Sequence, residues 1–180
     1  MNSTPTSIPD LLLIEPRVFD DERGFFYESF NEREFLKKVK SDVCFVQDNH
    51  SRSLIGVIRG LHYQTLQPQG KLVRVMRGSI FDVAVDLRKN SPTFGQWEGM
   101  ELSEKNKYQL WIPPGFAHGF LTLSEDAEIL YKTTNYYAPE YERTILWNDA
   151  TLNIRWPITR EVKISDKDRA GVSFTEAELF

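Results

Sequence analysis

Lys71-Leu-Val-Arg-Val-Met-Arg-Gly-Ser-Ile-Phe-Asp-Val-Ala-Val-Asp-Leu87 is two strand-like runs separated by Gly78-Ser79. Val73, Val75, Ile80, Val83 and Val85 are β-branched, which suits a pleated, packed surface. The Gly-Ser step reads as a hairpin turn, so strands are expected over Lys71 to Arg77 and Ile80 to Leu87. Further short runs extend the pattern in both directions: Gly24 to Phe30, Val43 to Gln47, Gln109 to Ile112, Gly119 to Leu123 and Glu128 to Tyr137. Only two helical stretches are expected. Asn31 can cap one over Asn31 to Lys40, with Glu34 as capping-box partner, and a shorter one begins near Ser165 with Asp168 in the equivalent place. Many short strands between Gly, Pro and Asn turns predict a mainly β fold, an antiparallel sandwich or barrel.

The 180 residues fit one domain, 1–180, since no repeat, linker or low-complexity tract divides them. Hydrophobic residues make up 41% and charged residues 27%, the balance of a globular chain. A net charge of -4 argues against nucleic acid as a partner. The longest apolar runs, such as Leu11 to Ile14, are too short to span a bilayer. Met1 to Asp10 lacks the basic-then-apolar order of a signal peptide, so the expected location is cytoplasmic. Cys44 is the single cysteine, which excludes an intrachain disulfide and a thiolate metal cluster.

Period-2 alternation sorts the strand side chains by face. Lys71 shares an inward face with Val73 and Val75. Gln47 and Asn49 continue the face of Val43 and Phe45, and Tyr131 lies with Ile129, Thr133 and Tyr137. Polar groups on inward faces are costly unless they meet partners or a ligand, so their convergence predicts a lined cavity.

Pro113-x-Gly115-x-x-His118 resembles the second motif of the cupin superfamily, a β-barrel group. The first cupin motif supplies two histidines at HxH spacing and a glutamate for a metal. Here that stretch holds His62 and Gln64, and Lys71 stands where the glutamate would be. A lysine repels a divalent ion and glutamine is a poor ligand, so no metal is expected. A histidine with a lysine still makes a useful pair. Removing a proton from carbon beside a ketone needs a base active near neutral pH, which histidine is. It also needs a cation or donor at the oxygen that becomes an enolate.

Ten stretches carry a closer resemblance. They are Arg23-Gly-Phe-Phe-Tyr-Glu28, Val46-Gln-Asp-Asn49, Gly56-Val-Ile-Arg-Gly-Leu-His-Tyr-Gln64, Gly70-Lys-Leu-Val-Arg74 and Asp82-Val-Ala-Val-Asp-Leu-Arg88. The rest are Ser91-Pro-Thr-Phe-Gly95, Gln109-Leu-Trp-Ile-Pro113, Gly115-Phe-Ala-His-Gly-Phe120, Tyr131-Lys-Thr-Thr-Asn-Tyr-Tyr137 and Ile164-Ser-Asp-Lys-Asp168. In order and over nearly the whole chain, they resemble the dTDP-4-dehydrorhamnose 3,5-epimerase family. Ile58 and Pro114 depart from the family pattern at positions without an implied role.

The resemblance implies a cupin-like antiparallel β-barrel or jelly roll with a few short helices, and a cofactor-free isomerase. His62 would be the general base, Asp168 its orienting partner, Tyr131 the general acid on the other face, and Lys71 the stabiliser of the enolate. The implied substrate is a dTDP-linked 4-keto-6-deoxysugar. Arg23, Glu28, Gln47, Asn49, Arg59, Lys71, His118, Glu142 and Lys167 would bind it, with Tyr137 stacking on thymine. Arg23 and Glu28 would come from the partner subunit of a homodimer with exchanged N-terminal strands.

Each residue also has an ordinary explanation. An isolated histidine in a β protein is most often a hydrogen-bonded structural residue, Tyr131 can be a core aromatic with a satisfied hydroxyl, and Asp168 can belong only to a helix cap. Arg23 and Lys167 can be surface charges. Simple alternation puts Arg59 and His62 on opposite faces unless Gly60 hosts a bulge. Two other functions therefore stay open beside the double epimerase: a single-centre 3- or 5-epimerase of a related sugar, and a non-catalytic sugar-nucleotide-binding barrel.

Overall fold

The structure, a computed structural model, describes residues 2–39 and 42–180. The first half of the chain forms β1 (Asn2–Pro5), β2 (Leu12–Glu15), β3 (Val18–Asp21), β4 (Gly24–Tyr27), α1 (Glu32–Val39), β5 (Gln47–Leu54), β6 (Ile58–Gln64), β7 (Lys71–Arg77) and β8 (Ser79–Asp86). The second half forms β9 (Trp97–Ser103), β10 (Gln109–Ile112), β11 (Phe116–Thr122), β12 (Asp126–Thr133), β13 (Glu142–Thr144) and α2 (Asp166–Arg169). A six-stranded sheet runs β1-β2-β10-β7-β12-β5 and a five-stranded sheet runs β13-β6-β11-β8-β9, while β3 and β4 form a separate ribbon. Every pair of these strands is antiparallel. The architecture is the expected mainly β, cupin-like jelly roll, built as two facing sheets; no strand pairing joins the two sheets into a closed barrel among the described residues.

The inward faces meet in one core. Val73, Val75, Leu110, Ile112 and Ile129 of the large sheet pack against Ile80, Ala84, Leu102, Phe116 and Phe120 of the small one. Each outer face is covered separately. Phe35 of α1 is fully buried and packs with Leu12, Ile14, Leu72 and Trp111 on the large sheet. Leu61, Tyr63, Val83 and Val85 of the small sheet meet Ile145, Leu152 and Phe174 from the C-terminal segment. A fully buried side chain of this size contributes roughly 1.5–3 kcal/mol, so these outer layers anchor α1 and the C-terminal segment firmly.

Several expectations change. Lys71 to Arg77 and Gln109 to Ile112 are strands as read, but Gly78-Ser79 does not close a hairpin. β7 is already flanked by β10 and β12, and β8 by β11 and β9, so at Gly78 the chain crosses from one sheet to the other. Gly78 has φ +75°, and a Cβ there would lie 2.1 Å from the Asp126 carbonyl oxygen. The remaining strand limits shift by a few residues, and β12 ends at Thr133, which leaves Tyr137 in the following loop rather than on the Ile129 face. Val43 to Val46 is not strand. Val43 and Phe45 turn to the aromatic cluster on the outer face, whereas Gln47 opens β5, so those residues do not share one side. α1 starts as expected, with Asn31 Oδ1 accepting from the Glu34 amide at 3.2 Å; Lys40, its expected last residue, lies outside the described residues. No helix among them is long and apolar enough to cross a membrane.

Candidate active site

At one end of the sandwich the apolar core gives way to a cavity of about 280 Å³, lined by Gln47, Asn49, His62, Gln64, Lys71, Tyr131, Tyr137 and Glu142 among others. Both sheets contribute. β5, β7 and β12 supply Gln47, Asn49, Lys71 and Tyr131 from the large sheet, and β6 and β13 supply His62 and Glu142 from the small one. The convergence inferred from alternation is therefore present for Lys71, Tyr131, Gln47 and Asn49.

His62 reaches the cavity through a bulge. In the pairing of β6 with β11, His62 faces His118 and Arg59 faces Phe120, so two residues of β6 oppose Gly119 alone. Gly60 takes φ +110° there, and a Cβ would come within 2.6 Å of the His118 carbonyl oxygen and Gly119 Cα. The extra residue changes the phase of the strand. It puts Arg59 on the side of Ser53 of β5, whose Oγ accepts from Arg59 Nε at 2.9 Å, and leaves Leu61 and Tyr63 in the outer core.

The C-terminal segment brings in the carboxylate. It is tied to the small sheet by Ile58 N to Lys163 O (3.0 Å) and by Leu146 N to Val172 O (2.9 Å), with α2 held between these ties. Ser165 caps α2 by accepting from the Asp168 amide at 3.1 Å, while the Asp168 carboxylate is free to reach His62 Nε2 at 2.5 Å. Asp168 thus serves the helix cap through its backbone and contacts His62 through its side chain. Burial pushes the Asp168 carboxyl up, but the hydrogen bonds and charge of His62 outweigh it and hold the group below its usual range. An ionised Asp168 keeps the imidazole proton on Nε2 and leaves Nδ1 to accept a proton.

Lys71 is 8% exposed. Burial lowers its pKa to about 8, against the pull of Asp82 and Glu142. Its ammonium donates to the His62 carbonyl oxygen at 3.4 Å. Tyr131 sits on the same sheet as Lys71 and opposite His62, and burial first of all raises its phenol pKa, so it carries its proton at neutral pH. Glu142 accepts from the Tyr137 hydroxyl at 2.7 Å and pairs with Lys167 at 2.5 Å. Burial pushes the Glu142 carboxyl up, but those two partners bring it below its ordinary value. Gln47 Oε1 accepts from the Tyr137 amide at 3.0 Å and so pins that loop to the rim.

Other expected residues lie elsewhere. His118 is buried behind the cavity wall, its Nε2 2.6 Å from Asp82 Oδ1, and desolvation lowers its pKa. Arg59 is exposed near Tyr131 and does not line the cavity. Arg23, at the tip of the β3–β4 ribbon with 89% of its side chain exposed, pairs with Asp21, and Glu28 is exposed just beyond β4; neither reaches the cavity of its own chain. Gln64 is spent on backbone, donating to the Gln67 and Tyr136 carbonyls and accepting from the Ala138 amide. Sequence reasoning missed Gln69, which lines the cavity and whose Nε2 donates to Asn135 O at 2.8 Å. It also missed Asp82, although alternation along Ile80-Phe-Asp82-Val-Ala84 already sets that carboxylate on the inward face.

A base and an acid on opposite walls, with a buried cation on the strand next to the acid, can remove a proton from one face of a carbon and return one to the other. Known proteins similar to this chain are epimerases. The family model described as dTDP-4-dehydrorhamnose 3,5-epimerase matches residues 5–176. The dTDP-4-dehydrorhamnose 3,5-epimerase of Pseudomonas aeruginosa is 60% identical over 180 residues, covering 100% of this chain and 99% of that protein. Among solved structures, the dTDP-6-deoxy-D-glucose-3,5-epimerase of Legionella pneumophila, in complex with dTDP-4-keto-L-rhamnose, superposes with a TM-score of 0.96 at 52% identity, covering 98% of this chain and 94% of that one. A 3'-monoepimerase from Streptomyces bikiniensis in complex with dTDP-quinovose gives 0.89 at 33% identity, covering 95% and 87%.

Proposed function

Because this chain belongs to the dTDP-4-dehydrorhamnose 3,5-epimerase family, we propose that His62, Lys71 and Tyr131 invert C3 and C5 of dTDP-4-keto-6-deoxyglucose to give dTDP-4-keto-L-rhamnose. The chain is an isomerase. Both carbons flank the C4 carbonyl, so one constellation serves each in turn. His62, oriented by Asp168, takes the proton from carbon, and the electron pair moves onto the carbonyl oxygen beside the Lys71 ammonium. Tyr131 then gives its phenolic proton to the opposite face of the same carbon. No electrons are gained or lost overall, so neither step calls on a redox cofactor.

The observation that carries this reading is the placement of His62 and Tyr131 on strands of opposite sheets across one cavity. Inversion needs proton removal and return on opposite faces, and a pure binding module has no use for that arrangement. The polar rim of Gln47, Asn49, Glu142 and Lys167 suits the nucleotide end of the substrate, with Tyr137 available to stack on the base. The β3–β4 ribbon leaves Phe19, Phe25 and Phe26 exposed. We assign it to a homodimer in which Arg23 and Glu28 serve the partner's cavity.

Solvent deuterium should wash into both C3 and C5 of the dTDP-linked substrate, read by NMR. Absence of exchange at either carbon sinks the assignment. The likeness to a 3'-monoepimerase makes the single-centre reading the one rival with an observation behind it, and a product inverted at one centre would establish it.

A further inference from the structure

The charged groups around the cavity pair off in a way that leaves one carboxylate oxygen over. His62 is matched by Asp168, and Lys167 by Glu142. Asp82 is fully buried on β8, and only its Oδ1 is used, by His118. Its Oδ2 is buried with no hydrogen-bond partner among the described residues. Lys71 mirrors this situation, being a buried cation that forms no salt bridge within 4.0 Å among the described residues and makes one long hydrogen bond, to a backbone carbonyl. Buried ions of either sign are costly unless compensated.

We propose that Asp82 is a positioning residue for the epimerisation, the counter-ion that keeps Lys71 an ammonium in the cavity wall. Strand pairing links the two: Lys71 donates to the His62 carbonyl, His62 lies opposite His118, and His118 occupies one Asp82 carboxylate oxygen without cancelling the charge. The inference rests on the reading of Lys71 as enolate stabiliser.

The groups facing Lys71 support the assignment element by element. β6 presents His62, already held by Asp168 of α2. β11 presents His118, whose pKa burial lowers, so it adds no lasting positive charge beside Asp82. From α2 and β13, Lys167 and Glu142 act as a pair and largely cancel, and Tyr131 of β12 is protonated. Asp82 of β8 is the largest influence holding the Lys71 ammonium up against desolvation. A neutral amine could not balance the developing enolate charge, so losing that influence would remove the stabiliser from the working pH range.

The test is kcat against pH for the wild-type enzyme, Asp82→Asn and Lys71→Ala, with thermal melts to confirm folding. In the wild type, kcat should fall as pH rises through about 8, where Lys71 loses its proton. In Asp82→Asn that basic limb should move down by about one pH unit. The variant would then lose an additional factor of about 10 between pH 6.5 and pH 9 relative to wild type. A uniform loss with the basic limb unmoved would mean that Asp82 is structural, and overturns the proposal. Wild-type kcat in Lys71→Ala would instead overturn the stabiliser reading itself, which keeps the two failures apart. Should Asp82→Asn not fold, 15Nζ-lysine NMR of the wild type decides: an ammonium at Lys71 at pH 7 supports the proposal and a neutral amine refutes it.

Discussion

Replacing Asp168 with Asn isolates the orientation of the base from its presence. The carboxylate is buried, lies 2.5 Å from His62 Nε2, and does not line the cavity. Substrate contacts should therefore survive, as should the Ser165 cap, which uses only the Asp168 backbone amide. What changes is the proton on the imidazole. An asparagine that turns its NH2 toward Nε2 makes that nitrogen an acceptor and shifts the proton to Nδ1, the atom required to receive one from the sugar. One that turns its oxygen keeps the tautomer but no longer stabilises the imidazolium formed on proton transfer. A general base contributes roughly 100- to 10,000-fold, and loss of an orienting carboxylate in a comparable dyad removes about 10,000-fold. We expect kcat to fall by about 1,000-fold, about 4 kcal/mol, with KM changing by less than about threefold because the change acts on the transition state alone. The assay is steady-state product formation alongside deuterium wash-in at C3 and C5, with a melt to show that the variant folds. A folded Asp168→Asn enzyme within about tenfold of wild-type kcat would refute the orienting role, and a loss confined to KM would move Asp168 into substrate binding.

Three further outcomes are expected. His62→Ala should cost more kcat than Tyr131→Phe, since no enolate forms without the base whereas water can partly replace the acid, both within roughly 100- to 10,000-fold; equal residual rates would contradict this order. Asp86 is buried, yet hydrogen bonds from Arg88, Ser91 and Thr93 outweigh that burial and hold its carboxyl at about 2, below the unfolded value of about 3.9. The group's stabilisation is therefore present above pH 4 and lost as pH falls toward 2, and Asp86→Asn should lower urea stability by roughly 2–3 kcal/mol at pH 7 with the difference shrinking below pH 3. Gly78→Ala should cost about 3 kcal/mol or more, because a Cβ at φ +75° meets the Asp126 carbonyl at 2.1 Å; an unchanged melting temperature would show that the crossover tolerates a side chain.

The legible parts of this protein were those where side chains alternate against a core. β7 and β10 were read to the residue, and the inward placement of Lys71 and of Tyr131 followed from Val73, Val75 and Ile129. β5 was hidden from the same reasoning, because Gln47-Asp-Asn-His-Ser-Arg-Ser-Leu54 has no apolar face; its inward side chains line a cavity instead of packing a core. Gly78-Ser79 misled for a different reason. A tight turn signals reversal of direction, but it does not say whether the next strand pairs with the previous one or faces it from another sheet.

Local pattern alone determined the β class, the capped helix starts at Asn31 and Ser165, and the two histidine-centred motifs, because these depend on propensity and spacing over a few residues. Tertiary structure decided which charges meet. His62 and Asp168 are 106 residues apart and join only because backbone ties at Lys163 and Val172 hold α2 against the small sheet. The bulge at Gly60 moves Arg59 into phase with His62, and two facing sheets set Tyr131 across from His62. Contacts of that kind are settled by which buried faces can be covered at once, a condition on the whole chain rather than on any segment of it.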